Sequence, residues 1–141
     1  MNQNLNFKLV HIFSSVLIFV FLYSSLQKII NFNNFIATLS KSLFLYNEFT
    51  KETGIFVILI EIAIVLLLIS SRLKIWGFLF SFLILLLFNG YIILMIVYSP
   101  YLPCSCGGFI EELTWGQHIA FNFLLIAFSL YGYLITNVKN K

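Results

Sequence analysis

Charge is scarce in this chain: Asp, Glu, Lys and Arg make up 9% of its 141 residues, against about 25% in an ordinary globular domain. Cysteine is rarer still. The only 2 cysteines are Cys104 and Cys106, one residue apart, which excludes a disulfide framework. There is no basic block interleaved with aromatics, so the formal net charge of +3 does not point to nucleic acid. Gly107-Gly108 lacks the further glycines and the following Lys of a phosphate loop. Internal repeats and low-complexity stretches are absent as well.

What remains is apolar. Hydrophobic residues are 61% of the chain, and 17 residues are Phe. A soluble domain of this length cannot hide so much Phe, Leu and Ile. The composition therefore predicts an integral membrane protein, and the length fits one bundle. Four apolar segments recur, at residues 9–28, 55–70, 75–98 and 116–136. Each approaches the roughly 20 residues that cross a ~30 Å hydrocarbon core. The first is longer than a signal-peptide core, and the Tyr23–Lys28 stretch is a poor cleavage site. It reads as a span, preceded by a polar Met1–Lys8 lead.

Between the first two spans, Phe32, Phe35, Ile36, Leu39 and Leu43 follow helical spacing with polar residues between them. This predicts a short amphipathic helix at the interface. The stretch from Tyr46 to Gly54 reads as a turn, and Ser71–Lys74 as a tight basic turn. Pro100 and Pro103 stop the third segment. Thr114, with Gln117 three residues on, has the form of a capping box opening the fourth. The expected fold is all-α: an integral membrane four-helix bundle in a single domain over residues 1–141, with the short helix between spans one and two.

Basic residues predict the orientation. Lys8, Arg72, Lys74, Lys139 and Lys141 fall on the side of both termini, and Lys28, Lys41 and Lys51 on the other. The positive-inside rule then puts both termini in the cytoplasm and the Cys-x-Cys loop outside, at a bacterial inner membrane. That outer compartment is where thiols are oxidised.

The intramembrane polar residues gather under this loop. At 1.5 Å per residue, Glu61 lies roughly 9 Å below the outer surface, Asn122 roughly 10 Å and Asn89 roughly 14 Å. His118 is near that surface. Ser24, Gln27 and Lys28 share one face of the first span, and Trp115, His118 and Asn122 one face of the fourth. Lipid satisfies none of them, so they are expected to point inward and form a polar pocket.

A Cys-x-Cys disulfide closes a small, strained ring, which suits a labile redox pair. Cys104 and Cys106 are the candidate redox residues, Cys104 the attacking thiol. The rival is a soft-metal site for an ion such as Cu(I), with help from His118. Glu61 is an ionisable residue inside a span, hence a functional candidate; its bland reading is a helix-packing ion pair with Lys28. His118 can relay a proton to a cysteine, or simply be an interfacial polar residue. Asn89 and Asn122 read chiefly as interhelical hydrogen-bond partners, and Tyr98 and Trp115 as an aromatic belt.

The ordered set Ser25-x-x-Lys28, Phe35, Glu61, Cys104-Ser-Cys106-Gly-Gly, Trp115 and Asn122 resembles the MauE-like branch of the DoxX/MauE family of four-span, redox-associated membrane proteins. The resemblance covers about Tyr23 to Asn122. Ser25 stands where the family tends to have Gly, and Phe121 where an Arg often precedes the Asn. The missing Arg weakens the case for an anionic partner at that point. The resemblance implies a helper role in maturing a disulfide-rich extracytoplasmic protein, with links to quinone-coupled oxidation. A quinone would be the cofactor by analogy alone, with Lys28, Asn89 and Asn122 as the residues to hold it. The implied partners are the lipid bilayer and an extracytoplasmic thioredoxin-like or cysteine-containing client. The alternative is a non-enzymatic accessory or assembly subunit.

Overall fold

A computed structural model describes residues 3–41, 47–98 and 115–139. They form five α-helices: α1 (Gln3–Ile30), α2 (Phe32–Ser40), α3 (Thr50–Ile69), α4 (Lys74–Tyr98) and α5 (Trp115–Lys139). A single 3-10 turn, Asn47–Phe49, leads into α3. The four helices α1, α3, α4 and α5 are each long and apolar enough to cross a membrane. This is the expected all-helical, four-span bundle. Lipid leaves no partner for a free backbone N–H or C=O, so an uninterrupted helix is the arrangement that satisfies the chain within itself. That constraint overrides the modest helix preference of the Ile- and Val-rich α3 sequence.

Packing runs α1 against α3, α3 against α4, α4 against α5, and α5 back against α1. The ring is closed, and α2 lies across α1 and α3. Its amphipathic pattern buries Phe35. The core between the spans is built on Leu17, Phe21, Ile64, Leu68, Phe78 and Leu125. Outward, large apolar residues such as Phe19, Leu66 and Leu87 are exposed, as a lipid-facing surface requires.

Two boundaries differ from the sequence expectation. Helix α1 begins at Gln3 rather than after Lys8, and its mostly exposed first turns carry two ring contacts at Phe7. The Phe7 ring meets His11 edge-on at 4.4 Å between centroids, and Lys139 Nζ sits 5.0 Å from the Phe7 centroid. Helix α3 begins at Thr50, so Gly54 lies inside a helix instead of a turn. Its lack of a side chain serves a close approach: a Cβ there would contact Ile36 Cδ1 and lie 3.2 Å from Phe35 Cε1. The Thr114 cap lies outside the described residues.

Glycine plays the same part at the other end of the bundle. A Cβ on Gly132 of α5 would come within 2.6 Å of Phe78 Cζ on α4, and Phe78 is fully buried. Gly90, also in α4, has nothing within 4 Å of its would-be Cβ. The two positions predict opposite outcomes for thermal unfolding in detergent. Gly132→Val forces Phe78 out of its site and should destabilise by about 1–3 kcal/mol, the range for overpacking. Gly90→Ala should leave stability unchanged or raise it by up to about 1 kcal/mol through helix propensity.

Candidate functional site

The polar end of α1 and the buried carboxylate of α3, Glu61, meet inside the bundle. Lys28 Nζ and Glu61 Oε1 form an ion pair at 2.5 Å, with side chains 2% and 9% exposed. Ser24, one turn before Lys28, completes a triangle. Its Oγ accepts from Lys28 Nζ at 2.7 Å and donates to Glu61 Oε1 at 3.3 Å. The spacing of Ser24 and Lys28 is i, i+4, so one helix face delivers both. The Phe35 ring of α2 covers the ammonium at 5.8 Å from its centroid. Gly54 lets α2 come close enough to α3 to seat that ring. The bland reading of Glu61, an ion pair with Lys28, is what the geometry contains.

The triangle borders a cavity of about 240 Å³. All four spans line it, and its polar residues are Ser24, Lys28, Glu61, His118 and Asn122. Val20, Phe21, Val57, Ile84, Leu85 and Phe88 are among its apolar walls. These residues occupy the later part of α1, the middle of α3 and α4, and the early part of α5. The cavity is therefore in the half of the bundle where α4 ends at Tyr98 and α5 begins at Trp115.

Three buried polar atoms on the lining residues have no hydrogen-bond partner: Glu61 Oε2, His118 Nε2 and Asn122 Nδ2. Such atoms are uncommon in native interiors, since each forgoes its hydration without recompense. The His118 ring lies 6.4 Å from the Phe88 ring, tilted by 54°. Lys28, Glu61, His118 and Asn122 are thus brought to one cavity. Asn89 is not. It is buried in α4, with Oδ1 also unpartnered, but does not border that space. Cys104 and Cys106 lie outside the described residues, as does the side chain of Trp115. Among the described residues no three His, Cys, Asp or Glu side chains converge as a metal site would need.

The family model of methylamine utilisation protein MauE matches residues 6–135. The chain belongs to the MauE family. No curated protein and no solved structure matches it. With four apolar helices of spanning length, this MauE-family chain is a multi-pass membrane protein in contact with the lipid bilayer.

Within this MauE-family site, Ser24, which the sequence placed on the polar face with Lys28 but to which no role was assigned, bridges the ion pair. The motif-like Ser25 instead donates to Leu22 O of its own helix at 3.0 Å. The signal for Ser24 was present in its i, i+4 spacing from Lys28. Gln27, the third polar residue of that stretch, accepts from Asn31 Nδ2 at 3.3 Å in an exposed contact and takes no part in the triangle.

Breaking a buried pair leaves one charge uncompensated, which costs about 3–5 kcal/mol. Lys28→Met and Glu61→Gln should each lower unfolding stability in detergent by that order. Ser24→Ala should cost about 1 kcal/mol. The double variant Lys28→Met/Glu61→Gln should recover most of the loss, and a double-mutant cycle measures the coupling. Additive losses would show that the two groups do not act as a pair.

Proposed function

We propose that this protein is a membrane accessory protein that supports disulfide chemistry in an extracytoplasmic client through Cys104 and Cys106. The observation that carries the reading is the buried polar cluster in the half of the bundle from which residues 99–114 depart and to which they return. The sequence of that connection contains Pro103-Cys-Ser-Cys-Gly-Gly108. Membership of the MauE family supports the accessory role.

In this reading the Cys104–Cys106 disulfide exchanges with a dithiol on a thioredoxin-like protein or a cysteine-containing client. The client dithiol becomes a disulfide, and the Cys104/Cys106 pair becomes a dithiol. Cys104 is the attacking thiol when the pair works from its reduced form, and His118, at the start of α5, accepts the thiol proton. Reoxidation sends two electrons and two protons to a lipid-soluble quinone, which becomes a quinol. Lys28 and Asn122, which line the cavity, are the residues proposed to hold it; Asn89, the third residue the resemblance implied, does not border that space. Glu61 keeps Lys28 neutralised, so the site stays electrically balanced through the cycle.

The five-to-three distribution of basic residues supports cytoplasmic termini and an external Cys loop in the inner membrane of a bacterium. A single-domain bundle over residues 1–141 is the accompanying proposal.

The test is acid quenching and thiol alkylation of intact cells, with a membrane-impermeant maleimide to read sidedness. The Cys pair should appear as a mixture of dithiol and disulfide. Cys106→Ser should trap a mixed disulfide through Cys104 that reductant releases. The double variant Cys104→Ser/Cys106→Ser should leave client proteins reduced. Unchanged client disulfides in the double variant would overturn the redox reading.

A further inference from the structure

We infer that the four-helix cavity binds a neutral, bilayer-dissolved molecule whose head group carries hydroxyl or carbonyl oxygens. The inference rests on the quinone step proposed above and deepens it, naming the ligand chemistry of this cavity and the route of entry; it does not need either cysteine.

Size sets the first limit. A cavity of about 150 Å³ is enough for benzene, so about 240 Å³ admits one substituted ring or a comparable head. Access sets the second. Leu87 borders the cavity, yet it is 71% exposed and sits near the middle of α4. A lipid-facing residue on the rim places an opening on the flank of the bundle at membrane depth. A solute of the hydrocarbon phase reaches that opening directly; a water-borne one must first dissolve in lipid.

Charge sets the third limit. Lys28 and Glu61 neutralise each other across 2.5 Å, and the remaining walls are largely apolar. An ionic ligand would enter with no net countercharge to meet it. Hydrogen bonding sets the last. Asn122 Nδ2 has a donor to give, Glu61 Oε2 has acceptor capacity, and His118 Nε2 serves as one or the other. A ligand carbonyl accepts from Asn122. A ligand hydroxyl can also donate to Glu61. A plain hydrocarbon would fill the walls and leave all three atoms unpartnered. Water would partner those atoms but gains nothing from Val20, Phe21 and Ile84.

The experiment uses the full chain in phosphatidylcholine nanodiscs, once with native cysteines and once as Cys104→Ser/Cys106→Ser. The probes are decylubiquinone and its quinol, dodecane, and laurate. Ligand that binds only the folded state raises the unfolding midpoint in proportion to its occupancy. The two oxygen-bearing probes should raise the midpoint in both proteins, and dodecane and laurate should not. Asn122→Leu should weaken decylubiquinone about tenfold, the size of one lost hydrogen bond in a desolvated site. Leu87→Trp keeps an apolar lipid-facing side chain, so folding is retained, and should weaken both oxygen-bearing probes at least tenfold by obstructing the rim. Equal stabilisation by dodecane, preferential binding of laurate, no response to either oxygen-bearing probe, or unchanged affinity in Leu87→Trp would each overturn the inference. Probe binding that persists in the cysteine-free protein separates this site from the thiol chemistry, whatever client oxidation shows.

Discussion

Hydrocarbon offers no hydrogen bonds and almost no screening, and every polar side chain in this bundle is placed under that constraint. The strongest case is Lys28 with Glu61. Either charge alone inside the membrane would be expensive to keep. Joined, with Ser24 bridging them, they become a compact neutral unit that ties the end of α1 to the middle of α3. Helix α2 covers the unit with Phe35, and Gly54 makes room for that cover.

The rest of the bundle divides around this pair. Toward the α3–α4 turn the interior is a tightly packed apolar core, where Phe78 lies against Gly132 and the Phe13 and Phe128 rings stack at 4.5 Å. Two hydroxyls there bond the backbone, Ser14 Oγ donating to Leu68 O at 3.4 Å and Ser81 Oγ to Gly77 O at 2.7 Å, while Ser129 Oγ is buried without a partner. Toward the other end the packing loosens into a cavity whose polar atoms are not all used. An apolar half that holds the helices in register and a polar half with spare hydrogen-bonding capacity is the division expected of a scaffold that carries a site. In this MauE-family membrane protein, that cavity lies among the four spans, toward the start of α5.

Much of this was legible in the residues. Run length alone marks the four spans, because a bilayer demands about 20 apolar residues at a stretch. Depth counting brought Lys28, Glu61, His118 and Asn122 to the same half of the bundle, since 1.5 Å per residue holds along any helix. The same counting put Asn89 in that half and missed that it does not border the cavity: depth is set by position along a helix, whereas direction depends on how the helix is rotated against its neighbours. Ser25 looked like the motif residue and Ser24 turned out to hold the pair, a difference of one position and therefore about 100° of rotation. Gly54 read as a turn because glycine favours turns; its reason lies in a neighbouring helix that no local window contains.

The sequence by itself determined the number of spans, the amphipathic helix between the first two and the level at which polar groups gather, because each follows from composition and a fixed helical rise. Only the tertiary structure decided which carboxylate oxygen meets Lys28, that Ser24 rather than Ser25 joins it, and that a cavity opens beside them past Leu87. Those outcomes depend on the relative rotation and separation of four helices, and these are settled by side chains far apart in the chain, such as Phe78 against Gly132 and Phe35 against Gly54.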